Sequence, residues 1–412
     1  MHTRYFLILC LSLLIFPSVR AVEHLDSSRH HFTDDPVTIN VRSRQFSDMS
    51  EAISHYQQLL EQGEWPQLAD GPLLRLGDRH HQLSILRTQL QQLGDLETDQ
   101  QIVITEPEYF DELLHQALQN FQQRHGVKVD GILGPVSRGL LNVYPEQRLD
   151  QLLVNLNRQQ QFIMEADSYY LQVNIPEFRL RVVQDGNVLI EMKTIVGRKK
   201  RKTPIFNTEI QALVLNPSWS VPKSIAHKDI IPVWREDPDY AARLRLQVVS
   251  GKGRNKVFLP ANGVDPEVMY KGPDYPHFWE PPGLKNTLGR IKFMSRSRYA
   301  IYLHDTSAKS LFDQHKRAFS SGCIRVEKAQ QLADLLLQID NSAQRDLLAE
   351  KLETIETGEI YLKQAVPVYM TYWTAWIDHH GLLNFRDDLY RRDKQALTLL
   401  RESEIETQIA SD

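Results

Sequence analysis

The residues best placed to do covalent chemistry are His304 and Cys323. His304 stands at the end of the strand expected near 299–303, and Cys323 ends the tight turn Ser320-Ser321-Gly322-Cys323. A thiol becomes a strong nucleophile when its pKa falls from about 8.5, through a histidine, local positive charge or a helix N-terminus. This segment offers His304 as the base, Arg325 as the charge and a helix expected after the turn. Gly322 lets the chain bend sharply, so the backbone N–H groups of Gly322 and Cys323 are expected to face a developing oxyanion. By residue type alone, the pair fits equally a strand-end histidine beside a buried core cysteine.

The chain has two cysteines. Cys10 lies in the apolar run 5–16, which follows Arg4 and is broken by Pro17. That run is short for a membrane span. With Ala21 at the cleavage position, residues 1–21 read as a secretory signal peptide, an uncleaved membrane anchor being the alternative. Leu9 is not the small residue that lipoprotein processing requires. Export to the periplasm would leave Cys323 as a lone thiol, unable to form an internal disulfide and a candidate for reactivity.

A length of 412 residues suits two or three domains. Hydrophobic residues at 42% and charged residues at 24% are ordinary globular values and exclude a disordered, collagenous or multi-span membrane chain. Lys+Arg 48 against Asp+Glu 52 gives a net charge of −4, so no basic excess points to nucleic acid. The pairs His30-His31, His80-His81 and His379-His380 are adjacent residues, which do not share a helix or strand face. No metal or cofactor is therefore expected.

The elements that must position the pair follow from periodicity. Residues 22–45 are polar and aperiodic and read as a leader or linker, and 46–62 have helical spacing. Residues 73–143 read as a helical module: one helix after Asp78, one over 110–125, and a short third launched by Gly134-Pro135. Another helix covers 149–164. From Asp167 the pattern alternates, with a hairpin signal at Asp185-Gly186 and further strands near 210–215, 291–294 and 299–303. Residues 223–282 are rich in Pro, Gly, charge and aromatics and read as an insertion, with a helix near 223–234. Helices at 329–337 and 342–352, a strand over 365–378 and a polar helical tail from Lys394 complete the chain. The basic run 197–202 reads as a solvated turn.

The stretch from Leu76-Gly77-Asp78 through Phe121-Gln122, His125-Gly126, Asp130-Gly131 and Gly134-Pro135 resembles the small three-helix peptidoglycan-binding domain, with Ser137 where threonine is usual. The phrases "YLHDT" and "FSSGCIRV" resemble the catalytic signature of the L,D-transpeptidases, cysteine enzymes that cross-link peptidoglycan. "IVGRKKRKTPIF" from Ile195, "NPSWSVP" from Asn216, "PPGLKNTLGRIKF" from Pro281 and "NFRDDLYRRD" from Asn384 are similar to the long Gram-negative type. The resemblance spans roughly residues 45–393.

It implies an α+β fold: a β-sandwich catalytic domain over 167–393, a capping insertion over 223–282, the three-helix domain over 73–143, and helical scaffold segments at 46–72 and 144–166, with 394–412 as a tail. It implies Cys323 as nucleophile and His304 as base and later acid. The backbone carbonyl of Asp305 would orient the imidazole, and Ser321, Gly322 and Cys323 would form the oxyanion loop. Many members carry histidine at position 321, and serine there removes a potential donor. Tyr302, Arg325 and Trp219 would hold substrate, with Trp279 and Phe278 lining the cleft or packing beneath it.

The implied reaction joins two diaminopimelates of peptidoglycan tetrapeptide stems through a cysteine thioester, releasing D-alanine. Carbapenems are expected covalent inhibitors, and other cell-wall synthesis proteins are conceivable partners. A hydrolase such as an L,D-carboxypeptidase on the same scaffold, and a non-catalytic wall-binding protein, stay open as alternatives.

Overall fold

The computed structural model describes residues 41–98, 104–251, 255–260 and 263–411. The expected signal peptide with Cys10, most of the leader and His30-His31 lie outside the described residues. The end of the leader departs from expectation. Val41–Arg42 form a strand, β1, and Val41 is buried in the helical core. A two-residue strand is too short to leave a periodic signal.

The helical part follows from caps and stripes. Helix α1 (Met49–Glu61) starts at Asp48, whose carboxylate accepts from the Ser50 and Glu51 N–H groups. Helix α2 (Gln82–Gln92) is followed by β2 (Glu97–Thr98), the antiparallel partner of β1. Helix α3 (Glu112–Arg124) is capped by Asp111. Helix α4 (Pro135–Leu141) begins with proline, whose missing N–H costs nothing there. Leu83, Leu86 and Leu90 of α2 meet Leu114, Leu118 and Phe121 of α3 in one core, all fully buried. Gln122 ties the loop before α4 together: its amide oxygen accepts from the Asp130 and Gly131 N–H groups at 3.0 and 2.8 Å, and its nitrogen reaches Ser137 Oγ at 3.1 Å.

Helix α5 (Pro145–Glu165) leads into the sheet strands β3 (Tyr169–Asn174), β4 (Arg179–Gln184), β5 (Asn187–Gly197) and β6 (Phe206–Leu215). The β4–β5 turn is Asp185-Gly186, both left-handed at φ 49° and 79°. The expected single first run is two strands, because the chain turns at 175–178, where Phe178 has φ 58°.

Strand β7 (Trp219–Ser220) leads into the insertion, which holds α6 (Lys223–Ile225), a π-helical turn at Ala226–Ile230, α7 (Ile231–Glu236), α8 (Tyr240–Arg243), β8 (Gln247–Ser250), β9 (Val257–Leu259) and β10 (His277–Glu280). With β7 its strands form a separate sheet in the order β7-β10-β8-β9, over a core containing Ile230, Trp234, Val248 and Phe278.

The main chain resumes with β11 (Ile291–Ser295), β12 (Leu303–His304), β13 (Ala318–Ser320), β14 (Ile324–Val326), α9 (Ala329–Ile339), α10 (Arg345–Glu353) and β15 (Gly358–Thr371). The large sheet runs β13-β5-β14-β12-β11-β6-β15-β3-β4. Strand β4 also pairs with β5, so the sheet closes on itself. Leu171, Val182, Ile210, Phe293, Leu303 and Ile324 fill its interior with Leu332 and Leu336 of α9.

The last elements are β16 (Ala375–Ile377), β17 (Leu383–Phe385) and α11 (Asp393–Ser411). The expected strand over 365–378 is broken between β15 and β16, where Thr374 is fully buried and donates its N–H to Asn155 Oδ1 at 2.8 Å. The β16–β17 hairpin packs on α1 and α5, with Tyr56 against Phe385 at 5.9 Å between ring centroids.

One buried ion pair joins the helical module to this hairpin. Asp95 is fully buried and receives Arg124 Nε and Nη2 at 2.6 and 2.5 Å, while Arg124 Nη1 reaches the Leu383 carbonyl at 3.4 Å. Removing one partner of such a pair strands the other charge. Asp95→Ala is expected to lower unfolding stability by about 3–5 kcal/mol in urea titration. A loss under about 1 kcal/mol would show that water reaches Arg124.

Candidate active site

Three strands set one polar row. Lys292 of β11 pairs with His304 of β12, and His304 pairs with Arg325 of β14. Their neighbours Phe293, Leu303 and Ile324 point the other way, into the core. The period of two in a strand makes this separation. The three basic side chains therefore lie side by side on the face opposite the core.

The nucleophile loop lies between β13 and β14. Cys323 is half-buried, and Gly322 has φ 124°, a conformation that a side chain rarely adopts. Cys323 is followed by strand β14, and the next helix, α9, begins only at Ala329. The expected helix N-terminus at the thiol is therefore absent: Ile324 and Val326 point into the core and draw the chain into the sheet. Three bonds brace the loop. Ser320 Oγ donates to the Cys323 carbonyl at 2.6 Å, the Gly322 N–H donates to Ser320 Oγ at 3.0 Å, and Thr203 Oγ1 donates to the Gly322 carbonyl at 2.8 Å. The Gly322 N–H, read from sequence as an oxyanion donor, is thus engaged inside the loop.

His304 is buried, and its Nδ1–H donates to the Asp305 carbonyl at 2.5 Å, which leaves Nε2 as the acceptor. The Asp305 carboxylate is occupied elsewhere, accepting from the Arg290 N–H at 2.9 Å and pairing with Lys309. Gly289 permits this arrangement, since a Cβ there would lie 2.4 Å from the Asp305 carboxyl.

A cavity of about 360 Å3 is lined by Cys323, His304, Arg325, Tyr302, Trp219 and Ser321, together with Pro222 and, from the insertion, Ile225. Every residue expected to touch substrate is brought together here. Phe278 instead packs in the insertion's core against Trp234, and Trp279 lies against Phe258 and Lys256.

Burial and then Arg325 push the His304 imidazole down to about 3, so it is neutral at physiological pH. Burial pushes the Cys323 thiol up, against the opposing pull of the Tyr302 N–H, Lys292 and Arg325. The resting pair is thiol beside neutral imidazole. Lys292 lies 4.1 Å from the centre of the Tyr302 ring, its own pKa lowered by burial. Arg325 Nε is buried without a partner among the described residues.

Residues 168–358 match the YkuD family, the L,D-transpeptidase catalytic domain, and residues 79–140 match a peptidoglycan-binding domain. The chain is 33% identical over 229 residues to a Haemophilus influenzae protein named as an L,D-transpeptidase. That match covers 54% of this chain and 44% of the relative, so it spans less than half the relative's length. Solved structures with some likeness include three L,D-transpeptidases. The Mycobacterium smegmatis protein has 13% identity and a TM-score of 0.24, with 50% of this chain and 58% of that one covered. The Stackebrandtia nassauensis protein has 13% identity and a TM-score of 0.26, with 74% and 97% covered. The catalytic domain from E. faecium, solved acylated by ertapenem, has 11% identity and a TM-score of 0.22, with 50% and 99% covered. Superpositions this loose carry no argument.

Within the matched residues 168–358, the sequence alone does not single out Lys292, Arg201 or Asp229. Lys292 is an ordinary outward residue of an alternating strand until register sets it beside His304. The basic run is the expected solvated turn at Arg198, Lys199, Lys200 and Lys202, all exposed, and Arg201 is its exception. Arg201 is mostly buried, pairing with Asp229 of the insertion, and Lys202 Nζ donates to the Tyr390 carbonyl at 2.8 Å.

Proposed function

We propose that the chain is an exported, periplasmic L,D-transpeptidase that forms diaminopimelate–diaminopimelate cross-links in peptidoglycan. The observation that carries this reading is Cys323 and a neutral, oriented His304 lining one cavity of an L,D-transpeptidase domain. Cys323 Sγ attacks the carbonyl carbon between diaminopimelate and the terminal D-alanine of a donor tetrapeptide stem. His304 Nε2 takes the thiol proton. The tetrahedral oxyanion collapses, the C–N bond breaks, and His304 returns the proton to the departing D-alanine amine. A thioester remains on Cys323. The side-chain amine of a second diaminopimelate attacks it, loses a proton to His304 and departs as the cross-linked product with the thiol restored. No electron-transfer step or external acid enters this cycle.

Tyr302, Trp219 and Arg325, whose Nε has no partner among the described residues, are suited to the polar and carboxylate groups of the stem. In this reading residues 223–282 cap the cleft, and residues 73–143 hold the enzyme on the wall. The test is mass spectrometry of products from the purified protein and defined disaccharide tetrapeptides. A dimer formed with loss of one D-alanine is expected. Tripeptide monomer alone would replace this reading with a hydrolase, and unchanged tetrapeptide would sink both.

The low imidazole pKa fixes a pH signature. His304 takes no proton until far below pH 6, and the raised thiol does not ionise near neutrality. The reactive thiol–imidazole pair keeps its proton count across that range. The rate of carbapenem acylation is expected to stay within about threefold from pH 5 to pH 8. A half-maximum between pH 6 and 7 would show instead that the imidazole titrates normally.

A further inference from the structure

Ser321 stands beside the nucleophile, on the cavity wall. Its Oγ accepts from Arg201 Nη1 at 2.8 Å and from Arg198 Nη2 at 3.3 Å. A hydroxyl has two acceptor lone pairs and one proton. Both lone pairs face guanidinium groups, and the proton has no acceptor among the described residues. Accepting from a cation also makes a hydroxyl a stronger donor.

Arg201 is itself held. Its Nη1 and Nη2 bond Asp229 of the insertion at 2.5 and 2.8 Å, and Arg198 reaches the same carboxylate at 3.3 Å. Arg201 lies in the connection between β5 and β6, whereas Asp229 lies in the π-helical turn. The chain Asp229–Arg201–Ser321 thus runs from the insertion to the residue two before the thiol. The Gly322 N–H is engaged by Ser320, while Ser321 lines the same cavity as Cys323.

We propose that Ser321 is a catalytic hydrogen-bond donor to the acyl oxyanion, and that Arg201 and Asp229 are positioning residues that polarise its hydroxyl and make its strength depend on the insertion. This rests on the L,D-transpeptidase reading. Acylation by a carbapenem passes through an oxyanion at the same carbon that forms the bond to Cys323. The serine acts there as a donor only, and no bond to it is made or broken.

The experiment follows carbapenem acylation of the full chain, separating the limiting acylation rate from the concentration giving half of it. Ser321→Ala is expected to slow the limiting rate by roughly ten- to a hundredfold, less than a fully buried oxyanion donor is worth, with half-saturation within about twofold. Ser321→Thr keeps the hydroxyl and is expected to recover most of the rate. Asp229→Asn is expected to slow acylation by several-fold in the parent and to have no effect in the Ser321→Ala background. Parent-like acylation by Ser321→Ala overturns the proposal, as does an Asp229→Asn effect of equal size in both backgrounds. Failure of the parent protein to acylate at all would count against the functional reading itself and is read out separately.

Discussion

Cys323→Ala is expected to remain folded, to take up no carbapenem and to form no cross-links. The three bonds that brace the nucleophile loop run through the Ser320 and Thr203 hydroxyls to backbone groups of 322 and 323, and none uses the thiol. Losing one sulfur from a half-buried position at the edge of a cavity leaves those bonds intact. Chemistry, by contrast, loses its covalent step entirely. The other cysteine of the sequence, Cys10, lies in the segment expected to be removed on export, so an adduct has one site. Intact-protein mass spectrometry reads the adduct, and thermal melting confirms the fold. A Cys323→Ala protein that still cross-links stems would end the proposed mechanism. Cys323→Ser is expected to be nearly as inactive, since a hydroxyl near neutrality is far less ionised than a thiol.

His304→Ala is expected to slow acylation by roughly two to four orders of magnitude, the usual worth of a placed general base. Its pH dependence carries a second signature. Without the imidazole, reaction falls to whatever thiolate exists, and burial makes that fraction small. The residual rate should then climb about tenfold per pH unit toward alkaline conditions, where the parent is expected to stay flat. Lys292 and Arg325 remain beside the thiol and support that thiolate, so some activity survives. A His304→Ala protein within threefold of the parent would remove the imidazole from the proton path.

Much of this was legible beforehand because its signals are local. Apolar spacing marks α1, α3 and α5, and Asp185-Gly186 marks a turn whose left-handed pair favours those residue types. Cys323 and His304 announced themselves by chemistry. What stayed hidden depends on which strand lies next to which. Lys292 becomes a neighbour of His304 only through the pairing of β11 with β12, and Arg201 meets Asp229 only because the insertion folds back beside the β5–β6 connection. Short pieces misled as well. β14 has three residues, too few to show alternation, so the sequence shows only the helix that starts at Ala329.

The β16–β17 hairpin has a bearing on the order in which the polypeptide is made. Thr374 closes on Asn155, Leu383 on Arg124 and Tyr390 on Gly197, so the last strands complete contacts whose other halves were synthesised far earlier. Until residues 374–390 emerge, Tyr56, Leu152 and their neighbours have no cover on that side. Their apolar stripes must wait, exposed, through translation and passage across a membrane if the chain is exported. Such long-range closure is slow and leaves sticky intermediates. A stop codon shortly after residue 371 would spare every residue that lines the cleft, yet it would strip the cover from the side of α1 and α5 that faces Ala375, Leu383 and Phe385.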